Sequence, residues 1–96
     1  MSPAEFRDSL ADHEAPSGLS AALTAMWWAG AGDWEKAHKI VMDEAGADCA
    51  WVHGYLHRAE GDLDNAGYWY RRARRAAATG TLEAEWAEIA AALLTR

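Results

Sequence analysis

The sequence predicts an all-α domain of about six helices. Alanine, the strongest helix former, is the commonest of the 96 residues, and proline occurs only twice. Apolar residues recur at helical spacing, and no stretch alternates apolar and polar residues as a half-buried strand does. Capping residues and glycines stand between the apolar segments, where helices begin and end.

Taken in order, Ser2-Pro3-Ala4-Glu5 reads as a capping box with proline at the first helical position. It opens a short helix to about Asp12, with Phe6 and Leu10 on one face. The run Ala15-Pro16-Ser17-Gly18 breaks the chain, and Ser17 or Gly18 can start a second helix. That helix carries Leu19, Leu23, Met26 and Trp27 and ends at Gly30 and Gly32. Asp33 caps a third, with Trp34, Ala37, Ile40 and Val41 inward, closed by Gly46. Asp48 caps a fourth, from Cys49 to about Glu60, and Gly61-Asp62 turns into a fifth, about Leu63 to Ala77. Thr81 caps a sixth, which carries Leu82, Trp86, Ile89 and Leu93. No linker is long enough to divide residues 1–96 into two domains.

Composition narrows the function. A chain of this length buries only about 60–65% of its unfolded surface, so it needs dense packing or a partner. Six tryptophans supply bulk to an alanine-rich core. One cysteine, Cys49, excludes an internal disulfide and a multi-cysteine zinc site. No apolar run approaches the length of a membrane span, and the first residues lack the pattern of a signal peptide, so the expectation is a cytoplasmic protein without a membrane partner. High alanine and arginine with little lysine and isoleucine fits a GC-rich bacterial genome. A net charge of −6 argues against nucleic acid. That charge averages over an acidic first half and an arginine-rich fifth helix, where Arg71, Arg72 and Arg75 form a basic face suited to an acidic partner or phosphate.

An internal repeat is visible. The Gly32-Asp33 and Gly61-Asp62 turns lie 29 residues apart, and aligning them pairs Ala21 with Ala50 and Ala37 with Ala66. Residues 50–73 resemble a tetratricopeptide repeat. The family's small residue on the first helix falls on Gly54, its turn on Gly61-Asp62, its small residue on the second helix on Ala66, and its aromatic and later alanine on Tyr70 and Ala73. In the first repeat Gly32, Asp33 and Ala37 fit, while Ala25 and Val41 stand for the glycine and the aromatic. The resemblance implies antiparallel hairpins stacked as a short right-handed superhelix. Residues 17–46 and 47–78 would be the hairpins, with capping helices in 1–16 and 79–96. It also implies, by analogy, protein or peptide binding on a concave surface.

The fourth helix carries three stripes. Val52, Leu56 and Ala59 form an apolar one; Trp51, Tyr55 and Arg58 an aromatic-cationic one; His53, His57 and Glu60 a titratable one. The resemblance would turn Val52 and Leu56 to the preceding hairpin, His53 and His57 toward Ala66, Tyr70 and Ala73, and Trp51, Tyr55 and Arg58 to the concave face. His53-x-x-x-His57 places two imidazoles one turn apart, within reach of one metal ion, with Glu60 a turn further on. The same two can be core histidines bonded to Tyr68, Tyr70, Asn65 or backbone, or can line a pocket for a polar small molecule.

Two readings follow. In the first, the chain is an interaction module that binds a protein, a peptide or its own copy through Met26, Trp27, Trp51, Tyr55 and Arg58, residue types that dominate binding hot spots. A homodimer follows if the capping helices cover the array incompletely. In the second, it binds a small molecule or a metal in a polar pocket between the fourth and fifth helices, made by His53, His57, Glu60, Asn65 and Trp69. No catalytic motif is visible and no cofactor is assigned, so the chain reads as a binder rather than an enzyme.

Overall fold

The computed structural model describes residues 1–96 and contains six α-helices and no strand. Helix α1 spans Pro3–Asp8 and runs into a 3-10 turn at Ser9–Ala11. Its capping box forms: the Glu5 amide donates to Ser2 Oγ, and the Ser2 amide donates to the Glu5 carboxylate at 2.8 Å. Then come α2 (Ala21–Gly30), α3 (Trp34–Met42), α4 (Ala47–Ala59), α5 (Leu63–Ala73) and α6 (Leu82–Leu94). Asp33, Asp62 and Thr81 cap α3, α5 and α6, each accepting from the backbone amide three residues on.

Four helix boundaries differ from the sequence reading. Helix α2 starts later, because Ser20 is the residue whose hydroxyl accepts from Leu23, and this leaves Leu19 just outside the helix. Helix α3 ends at Met42, with Asp43 as its C-cap, and Gly46 does not close it but opens the next helix. Helix α4 starts earlier, on Gly46 at φ 112°, a conformation open to glycine. Asp48 therefore lies in the first turn and pairs with Arg96. Helix α5 ends at Ala73 rather than Ala77. Arg74 adopts the left-handed conformation at φ 60°, and the Arg75 amide donates back to Tyr70 O, a helix-terminating closure that propensity does not reveal.

Helices α2 and α3 form one antiparallel hairpin and α4 and α5 a second, joined along a seam between α3 and α4. Gly54 faces the ring of Tyr70, where a Cβ would come within 3.0 Å, so the second hairpin closes tightly because this position lacks a side chain. Helix α6 does not extend the row beyond α5. It folds back across α2 and α4, and α1 packs on its outer side.

One core results, with Trp27, Phe6, Met26, Leu56, Ile89, Val41 and Val52 its largest fully buried side chains. The indoles also tie distant segments. Trp86 Nε1 donates to Met26 O at 2.9 Å, Trp27 Nε1 to Ser9 Oγ at 3.0 Å and Trp34 Nε1 to Leu56 O at 2.6 Å. Each brings a large apolar body inside without orphaning its N–H. No helix is long and apolar enough to cross a membrane.

A three-histidine candidate metal site

The seam between the hairpins is lined with aromatic nitrogen. Helix α3 contributes Trp34 and His38, one turn apart, and α4 contributes His53 and His57, also one turn apart. His38 Nε2 lies 3.0 Å from His53 Nε2 across the seam. The His53 and His57 rings stack at 4.9 Å between centroids, and one ligating nitrogen from each of the three histidines falls within 4.8 Å of the others. Two indoles wall the group: Trp34 stacks on His38 at 4.7 Å, and Trp69 of α5 stacks on His53 at 3.8 Å.

The protons of this cluster do not all find partners. A neutral imidazole has one N–H and one lone pair. His57 Nδ1 meets the Glu60 carboxylate at 2.7 Å, which suits an N–H there. Between His38 and His53 only one ring can donate. Whichever does so, His53 Nδ1 remains buried without a hydrogen-bond partner. Such an unpaired group costs about 1–3 kcal/mol. Burial, and then the neighbouring imidazoles of His38 and His57, push His53 down to about 4. Burial and His57 also lower His38, against the opposing pull of Glu60. Both rings are therefore neutral at pH 7, the form in which imidazole binds a metal.

The spacing matches that chemistry. Two nitrogens bound at about 2.0–2.1 Å to a tetrahedral ion stand about 3.3 Å apart. The His38–His53 pair, at 3.0 Å, is already near that value, and from within 4.8 Å the His57 nitrogen would need to close by no more than about 1.5 Å to join them. Glu60 holds His57 as carboxylates hold metal-binding histidines.

Of the residues expected to form a polar pocket, His53, His57, Glu60 and Trp69 do meet. Asn65 does not join them: it sits in the first turn of α5, where its amide donates to the Asp62 cap. The histidines face α3 rather than Ala66, Tyr70 and Ala73, because Tyr70 already fills the space over Gly54. Sequence reasoning missed His38 and Trp34's contact with it. The available signal was their shared face on α3, four residues apart. Cys49, one turn before His53, stays outside the group, and burial pushes its thiol up.

The aromatic surface expected for a partner is not exposed. Met26, Trp27, Trp51 and Tyr55 are buried, and the physical reason is α6, which lies across the α2 and α4 face that would have been open. Arg58 is engaged as well, pairing with the buried Glu85 of α6 at 2.9 Å and donating to Gly80 O. On the basic face, Arg71, Arg72 and Arg75 are all exposed, and the Arg75 guanidinium lies 3.8 Å from the Trp51 ring centroid.

No protein-family model matches the chain, and neither a curated protein nor a solved structure does.

Proposed function

We propose that this chain is a small helical metal-binding protein that takes one divalent ion of the zinc, nickel and copper group through His38, His53 and His57. The observation that carries this reading is the convergence of three ligating nitrogens, from both hairpins, within 4.8 Å. All-imidazole donors suit those ions, whereas magnesium and calcium call for oxygen. The ion would join α3 to α4 and so staple the two hairpins. The tetratricopeptide-like reading of those hairpins is supported by the Gly54–Tyr70 packing and the Gly61-Asp62 turn. Binding a protein or peptide on the α2 and α4 face would require α6 to leave it.

Calorimetric titration of the purified, metal-free chain with zinc at pH 7.5 tests the proposal. One equivalent should bind, and His38→Ala, His53→Ala and His57→Ala should each weaken binding at least tenfold. A wild-type chain that takes up no zinc at tens of micromolar, or a His38→Ala chain that binds as wild type does, overturns it.

A further inference from the structure

Resting on the metal reading above, we infer that the ion held by His38, His53 and His57 keeps one coordination position that no side chain of this protein fills, and that this position takes water or a small monodentate anion.

The inference follows from counting donors around the seam. The convergent group contains three imidazoles and no fourth donor. The nearest carboxylate, Glu60, is occupied with His57 Nδ1 at 2.7 Å. A histidine that donates Nδ1–H to a carboxylate presents Nε2 to the metal, and the carboxylate then stands behind the ligand instead of on the ion. Asp62 approaches His57 and Glu60, but its Oδ1 accepts from the Asn65 amide as the cap of α5. Cys49 is outside the group.

The remaining neighbours cannot ligate. Trp34 and Trp69 lie flat against His38 and His53, and an indole nitrogen has no lone pair to give. Trp34 Nε1–H is moreover committed to Leu56 O. The indoles thus shield two sides of the site without filling the ion's shell. His38, Trp34 and Trp69 are only partly buried, so the shell is completed from solvent. Three protein ligands with a free position is the pattern of zinc sites that exchange a ligand, as distinct from the four-ligand structural sites.

Cobalt(II) makes the coordination visible. The full-length protein is loaded with one equivalent of cobalt(II), its visible absorption bands are recorded, and sodium azide or thiocyanate is added. The expected result is a saturable shift of the bands on anion addition, in wild type and in Glu60→Ala alike. Bands that do not respond in wild type but do respond in Glu60→Ala would make Glu60 the fourth ligand and overturn the inference, leaving the metal reading intact. Bands unresponsive in both chains would likewise overturn it. A spectrum no different from free cobalt(II) would overturn the metal reading and this inference together.

Discussion

His38 Nε2 and His53 Nε2 lie 3.0 Å apart across the seam where α3 of the first helical hairpin meets α4 of the second. A metal ion bound at this point, as proposed, would replace the shared proton and cross-link hairpins that otherwise meet through ordinary packing. Ligand binding to the folded state alone stabilises it by about 2.7 kcal/mol at a hundredfold excess over Kd. For a domain of this size that corresponds to a rise in melting temperature of about 10 °C or more. Thermal denaturation followed by circular dichroism, with zinc and with a chelator, should show that rise, and His38→Ala should cut it by about half or more. An equal rise in the variant would place the ion elsewhere.

The metal-free chain should lose stability in mild acid. His53 titrates near 4 when folded against 6.5 when unfolded, through burial and the imidazoles of His38 and His57 that face it, with Glu60 behind His57. A histidine held neutral binds fewer protons folded than unfolded. Its contribution is therefore whole above pH 6.5 and is lost as the pH falls from 6.5 through about 4, by about 3 kcal/mol in all. Urea denaturation in chelator at pH 7.5 and pH 4.5 measures the loss. His53→Gln should flatten this part of the pH dependence, and a variant as acid-sensitive as wild type would contradict the assignment.

These two expectations rest on a site that the sequence exposed only in part. The spacing of His53 and His57 put both imidazoles on one stripe of α4, because i and i+4 share a face whatever the tertiary structure. Their neighbour on α3 depends on how two hairpins dock, and no local pattern encodes that. The same limit explains the partner surface. Met26, Trp27, Trp51 and Tyr55 all enter the one core, and the direction of α6 decides whether they see solvent. That direction depends on Arg74, an ordinary residue in a left-handed conformation, and on the connection from there to Thr81. The helices themselves were legible because their caps are local: Ser2 with Glu5, Asp33, Asp62 and Thr81 each bond a backbone amide three residues away.

Glu85 is the buried charge that holds α6 in place. Its carboxylate accepts from Arg58 at 2.9 Å and from the Tyr70 hydroxyl at 2.5 Å, so one side chain of α6 reaches both α4 and α5. Removing one partner of a buried pair leaves the other uncompensated, at a cost of about 3–5 kcal/mol. Glu85→Ala should approach the low end, because Arg58 keeps some access to water and its bond to Gly80 O. Burial and the Glu85 hydrogen bond and charge also raise Tyr70 far above the ordinary phenol range. Ultraviolet titration should therefore find Tyr70 un-ionised until the protein unfolds in alkali. Glu85→Gln should bring its ionisation to lower pH, and an unchanged titration would contradict the contact.

Two glycines on the second hairpin should respond to alanine in opposite directions. At Gly54 a methyl group would lie 3.0 Å from the Tyr70 ring, which is buried and held by Glu85, so it cannot swing aside. Overpacking of this kind costs about 1–3 kcal/mol, against about 1 kcal/mol gained in helix propensity. The net effect of Gly54→Ala is destabilisation by up to about 2 kcal/mol. At Gly67 the added methyl meets only the end of the Arg71 side chain at 3.3 Å, which is exposed and free to move. There the propensity gain should dominate, and Gly67→Ala should stabilise by about 0.5–1 kcal/mol. Urea denaturation midpoints of the two variants, measured at equal slope, should move to opposite sides of wild type. Movement to the same side would mean that the Gly54–Tyr70 contact does not set the closure of the α4–α5 hairpin.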